Sequence, residues 1–283
     1  MKSILLPTDF SDNSWNAIQY ALNFFENSNC HFYMLHVIKL NNLSVIDSPF
    51  IASSEAIEEI YIKPSKKQLR KLLKRISEEF PQNDNHKFYT ITDYNFFIES
   101  IRNQVQEKNI DMIVMGTKGA SGLKKFIIGS NTADVITKVP CTTLVVPENA
   151  KFNNIGEIAF PTDLSISYQI QTLQPISEVL EEFNSFLRIL HISKKKEDLN
   201  IDQQKYKELL QDYFMNNDCS FHFLTNDNIE DAVQCFVESR DIDMIAMVAK
   251  NLNYFQRILF MPTVEEISYH TDVPFLVVHE QPL

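Results

Sequence analysis

Short apolar runs alternate along the chain with longer stretches in which apolar positions recur every three or four residues. The runs at 3–7, 31–38, 87–91, 110–115 and 142–146 are rich in Ile, Val, Leu and Phe, which predicts buried strands. Between them, Ser14–Phe25, Ser65–Phe80, Phe96–Glu107 and Asn131–Lys138 carry helical spacing. Ala17, Tyr20, Ala21 and Phe24, for example, fall at i, i+3, i+4 and i+7, one face of a helix. Strands alternating with helices imply right-handed crossovers, hence a parallel sheet covered on both faces. Asn41–Lys63 shows no clear period and reads as a long loop.

The pattern then repeats. Ile4-Leu5-Leu6-Pro7-Thr8-Asp9-Phe10-Ser11 returns as Ile158-Ala159-Phe160-Pro161-Thr162-Asp163-Leu164-Ser165, and Leu35-His36-Val37 returns as Leu190-His191-Ile192. Asp111-Met112-Ile113-Val114-Met115 returns as Asp243-Met244-Ile245-Ala246-Met247, and Leu144-Val145-Val146 as Leu276-Val277-Val278. Order and local spacing are kept, which chance matches would not do, and such duplication dictates the architecture. The second copy is about 23 residues shorter in its middle, where it lacks the counterpart of a loop around residues 39–63. The expected fold class is therefore α/β, with two tandem Rossmann-like domains, 1–150 and 151–283. Each is a five-stranded parallel sheet with helices on both faces, and Glu148–Ile155 is the linker.

Each repeat ends in an apolar strand, Thr142–Val146 and Phe275–Val278, which in this strand order would be an edge. An exposed apolar edge invites pairing, so the last strands are expected to pair within the chain as a pseudo-dimer, with a further homodimer left open.

Composition narrows the function classes. The net charge of −11 is uneven. Residues 1–150 hold 16 basic and 16 acidic side chains, whereas 151–283 hold 10 and 21. An acidic second half speaks against nucleic acid, whose phosphates need clustered Lys and Arg, and against an anionic membrane surface. No run of 18 apolar residues predicts a membrane span. The four cysteines lack CxxC spacing and read as reduced, mostly buried thiols of a cytoplasmic protein. The seven histidines show no metal-ligand spacing, although His36 and His191 recur at one place in the repeat. There is no Gly-x-Ser-x-Gly elbow and no Walker A motif.

The candidate chemistry is concentrated in one loop. Four of the five glycines fall between Gly116 and Gly129, after the fourth strand, where ligands of open parallel sheets gather. Glycine permits positive φ and close approach of backbone to ligand. Gly129-Ser130 leads into a helix, whose first amides and positive dipole end suit a phosphate. Ser130 and Thr132 offer hydroxyls, and Lys118, Lys124 and Lys125 add positive charge. Taken alone, such a loop also fits a purely structural role in which Ser130 caps the helix.

Gly116-x2-Gly119-x9-Gly129-Ser130, between a strand and a helix, resembles the ATP-binding signature of the universal stress protein family. The Pro-Thr-Asp-x-Ser start and the Leu-Val-Val end are similar to the same family, and the likeness runs through both repeats. The resemblance implies that Pro7, Thr8, Asp9 and Val37 line the adenosine end of an adenine nucleotide. It implies that Met115 and Gly116 approach the ribose, and that Gly119, Gly129, Ser130, Asn131 and Thr132 hold the phosphates of ATP, with room for Mg. In the second repeat Gly116, Gly119, Gly129 and Ser130 become Val248, Asn251, Met261 and Pro262, and Glu265-Glu266 add negative charge. That copy reads as a degenerate partner, with Asp163 expected to cap the following helix.

Three functions stay open: a nucleotide-responsive stress protein without dedicated catalysis, a slow ATP hydrolase or nucleotidyl-transferring enzyme, and a scaffold that binds no nucleotide. The lack of an obvious general base at the phosphate end favours the first.

Overall fold

The computed structural model describes residues 1–39, 58–117, 129–164, 169–195, 198–249 and 272–280. Five strands come from the first half: β1 (Lys2–Pro7), β2 (Cys30–Lys39), β3 (His86–Asn95), β4 (Met112–Gly116) and β5 (Thr142–Val146). Five come from the second: β6 (Glu157–Pro161), β7 (Phe186–Ser193), β8 (Cys219–Thr225), β9 (Met244–Val248) and β10 (Phe275–Val278). Together they make one 10-stranded sheet in the order β3-β2-β1-β4-β5-β10-β9-β6-β7-β8. Every pairing inside a half is parallel.

The halves meet where β5 and β10 pair antiparallel. Leu144 lies opposite Leu276, its own repeat equivalent, with Val145 opposite Phe275 and Thr143 opposite Val277. A local twofold therefore passes between the two leucines. Both are fully buried, so each copy covers the apolar edge that the other would expose.

Helices cover both faces. In the first half α1 (Asp12–Phe24) and α2 (Lys63–Glu79) lie on one side, α3 (Phe97–Glu107) and α4 (Ser130–Lys138) on the other. In the second half α5 (Gln174–Phe183) and α6 (Ile201–Tyr213) share the face of α1 and α2, and α7 (Ile229–Ser239) lies opposite. α1 begins two residues before its apolar period because the Ser11 side chain accepts from the Ser14 N–H, the usual N-cap geometry. Within the predicted loop, Glu58–Ile62 form a π-helical turn that runs into α2; residues 40–57 lie outside the described ones.

One core cluster runs across the twofold on the α1 side. The Phe24 ring lies 5.0 Å from Phe183, and Phe152 of the linker packs on Tyr20, Phe24 and Phe183. Asn16 Nδ2 donates to the carbonyls of Pro147 and Ala150, both at 3.0 Å, so the linker is fastened to α1. Of the four unpaired cysteines, Cys30 and Cys141 are buried, Cys219 is half-buried and Cys235 is exposed. Burial pushes the Cys30 and Cys141 thiols up to about 11 and 12, which keeps them protonated and unreactive. Among the described residues no helix is long and apolar enough to cross a membrane.

Candidate functional site

In the first half the strand order changes direction between β1 and β4, and the carboxyl ends of strands at such a switch leave a crevice. Pro7 pairs with Leu35 and Leu5 with Ile113, so Val37 is level with Asp9 and Met115 with Pro7. Six of the predicted residues, Pro7, Thr8, Asp9, Val37, Met115 and Gly116, thus sit at one end of three adjacent strands.

The turn after β1 is tightly bonded. Thr8 N–H donates to Leu35 O at 2.8 Å. Phe10 adopts φ 64°, a left-handed conformation that is unfavourable for a bulky residue. Its N–H donates to Thr8 Oγ1 at 3.0 Å. Asp9 is exposed, and its Oδ1 accepts from Ser11 N–H at 3.1 Å and Ser11 Oγ at 2.5 Å, an Asx-type turn bond. His36 Nδ1 lies 2.8 Å from Thr8 O. A carbonyl only accepts, so this nitrogen carries the proton. The imidazole also rests against the Phe10 ring, 4.5 Å between centroids.

The opposite wall is built at Gly116. A Cβ there would lie 2.4 Å from Asn13 Oδ1 and 2.9 Å from Asn13 Cγ, so glycine at this position lets the first turn of α1 close on the end of β4. Thr117 N–H donates to Val146 O at 3.1 Å, and Gly129 N–H to Thr117 O at 2.5 Å. These bonds bring the start of α4 back beside β4. Gly129 is the N-cap of α4 at φ −69°, ψ 158°, extended backbone open to any residue; its value to the site is the missing side chain and not left-handed freedom. The first helical bond runs from Ala133 N–H to Gly129 O, so the N–H groups of Ser130, Asn131 and Thr132 have no acceptor inside the helix. Thr132 differs from expectation: it is buried and its hydroxyl donates to Gly116 O at 2.8 Å, which commits that proton to the fold. Ser130 is exposed at the helix start. Gly119, Lys118, Lys124 and Lys125 lie outside the described residues.

The second half repeats the turn but not the opposite wall. Leu164 has φ 55° and donates to Thr162 Oγ1 at 3.1 Å, and His191 Nδ1 donates to Thr162 O at 3.0 Å. At the place of Gly116, however, stands buried Val248. In the stretch corresponding to α1, a 3₁₀ turn at Ile170–Leu173 runs into α5. The caps of the described turns there are Gln169 and Leu173, and residues 165–168, which directly follow Asp163, lie outside the described ones. The Asp163 carbonyl accepts from Gln203 Nε2 at 3.1 Å. Gln203 belongs to the capping box that Asn200 forms at the start of α6, and this helix end therefore closes on the turn. Asn251, Met261, Pro262, Glu265 and Glu266 lie outside the described residues.

Sequence reasoning passed over Asn13, which gives Gly116 a packing reason, and His36, which grips the Thr8 carbonyl. The signal for His36 was its exact repetition as His191 in Leu-His-Val and Leu-His-Ile. No comparable signal marked Asn13, whose counterpart lies among residues 165–168, outside the described ones.

Comparison with known proteins follows the same division. The model of the universal stress protein family matches residues 1–147. A universal stress protein of Methanocaldococcus jannaschii is 29% identical over 150 residues, covering 53% of this chain and 84% of the relative. One from Bacillus subtilis is 25% identical over 146 residues, covering 50% of this chain and 97% of its own. Among solved structures, a universal stress protein from Archaeoglobus fulgidus aligns over 99% of this chain and 98% of its own, with a TM-score of 0.71 at 20% identity. That last likeness is one of fold, and it extends through both halves.

Proposed function

The chain belongs to the universal stress protein family, and on that premise we propose that its first half, residues 1–150, binds one adenine nucleotide, ATP with Mg, while residues 151–283 are a partner that has lost the site. The observation that carries this reading is the start of α4, where Gly129 N–H to Thr117 O and Thr132 Oγ1 to Gly116 O bring three amides that have no acceptor inside the helix beside the switch point. Such amides and the helix dipole favour a phosphate. The residues fit that group: positions 116 and 129 carry no side chain, and Ser130 is exposed beside them. Pro7, Thr8, Asp9, Val37 and Met115 would face the nucleoside end, and Asn131 would contribute its amide.

The role is regulatory: a bound nucleotide biases a conformation or a choice of partner. The Asp9 carboxylate is a turn-forming acceptor for Ser11 and is assigned to the nucleoside end, away from the γ-phosphate, so it is not placed as a general base. Calorimetric titration of the full chain with Mg-ATP should give a stoichiometry near one. A value near two would remove the distinction between the halves, and no binding would leave the scaffold reading. Multiple-turnover phosphate release should stay well below the rates of ordinary enzymes, which are on the order of 1 per second or more.

A further inference from the structure

The turn after β1 and its copy after β6 are held in the same way. In each, a non-glycine residue takes a left-handed φ (Phe10 and Leu164), its N–H donates to the preceding threonine hydroxyl, and a histidine Nδ1–H donates to that threonine's carbonyl. Strained backbone of this kind persists only where its surroundings over-determine it. The histidine adds a side-chain clamp from the neighbouring strand to the backbone bond that strand already makes with the threonine N–H. In the first half the clamp also carries ring contact, since Phe10 lies on the imidazole.

We propose that His36 is a positioning residue of the nucleotide site: it holds the Thr8 carbonyl and the Phe10 ring so that Asp9, between them, keeps its place beyond the carboxyl end of β1. The proposal rests on the nucleotide reading of the first half. Thr8 is buried, and without His36 its carbonyl would lose the side-chain donor that holds it. Phe10 could then relax toward negative φ, and the Asp9 carboxylate would move with the backbone. His191 is an internal control. It makes the same bond at 3.0 Å in a copy where Val248 stands in the place of Gly116 and Gln203 closes on Asp163, so there it can serve only the fold.

The test compares full-length His36→Ala, His36→Asn and His191→Ala with the wild type, by Mg-ATP titration and by thermal unfolding. Losing this part-buried hydrogen bond should weaken ATP binding by about tenfold in His36→Ala. Asn places a side-chain N–H close to the position of imidazole Nδ1, so His36→Asn should bind within about threefold of wild type. His191→Ala should lower the melting temperature as His36→Ala does and leave affinity unchanged. If His36→Ala does not fold, His36→Leu, which keeps the volume and removes the donor, takes its place in the comparison. Normal affinity in the variant lacking the donor, or equal weakening by His191→Ala, overturns the proposal while the nucleotide reading stands. A wild-type chain that binds no ATP overturns both.

Discussion

The two halves keep the same strands, the same strained turn and the same histidine clamp, but they differ where α1 and β4 meet. In the first, Gly116 lets Asn13 close against the end of β4 and α1 starts at Asp12. In the second, Val248 stands at that point, and the described helical residues begin as a 3₁₀ turn at Ile170 that runs into α5 at Gln174. The contrast teaches that the turn after the first strand belongs to the architecture. The residue at the end of the fourth strand of each half, Gly116 in one and Val248 in the other, varies while that turn is kept.

The strongest way to break the comparison is at the twofold. Leu144 and Leu276 face each other, both fully buried. Either one changed to Ala should destabilise by about 3–5 kcal/mol, read by urea denaturation. If the halves are one cooperative unit, both variants shift a single transition by similar amounts. Two separate transitions, with only one displaced, would show that the shared strand pair does not couple them.

A comparable effect is expected from pH, and from the second half alone. His279 follows β10 where Pro147 follows β5, and its Nε2 is buried with no hydrogen-bond partner among the described residues. Burial holds its pKa down at about 4, below the ordinary value near 6.5. The folded state therefore takes up the proton later than the unfolded chain, so this contribution is complete above pH 6.5 and is lost as pH falls toward 4. The loss is roughly 3 kcal/mol over that window. His279→Leu should flatten the stability profile there relative to wild type; an unchanged slope would mean that other groups carry it.

Gly129→Val sharpens the difference at the site. The residue sits at φ −69°, ψ 158°, a region that Val occupies readily. Stability should stay near wild type, while a side chain at the helix start lowers ATP affinity by roughly a hundredfold, or about 2.7 kcal/mol. Normal binding would move the phosphate elsewhere, and a large fall in melting temperature would make the glycine structural.

The smallest effect should come from the Lys2–Glu178 ion pair, which joins the halves at 2.8 Å with side chains 38% and 41% exposed. Pairs so open to solvent contribute less than about 1 kcal/mol. Lys2→Ala should change stability by no more than that and add little to Leu144→Ala. A larger loss would place part of the inter-half coupling in charge and not in apolar packing.

The duplication, the strands, the helices outside the described gaps and the parallel order within each half were legible in the sequence. Buried strands and amphipathic helices imprint their periods on neighbouring residues, and repeats imprint them twice. The concentration of glycines after β4 likewise pointed to one end of one sheet. Several things needed the tertiary structure, because they depend on groups far apart in the chain meeting across a gap of a few ångströms. Gly116 is glycine because Asn13, more than a hundred residues earlier, packs on it. Thr132 turns its hydroxyl to the Gly116 carbonyl and not outward. The Asp163 carbonyl accepts from Gln203, forty residues later in the chain. Residue type and spacing determined which chemistry was present. Which proton, carbonyl or side chain remained available for a ligand was decided by long-range packing, because a hydrogen bond formed within the fold commits its donor before any ligand arrives.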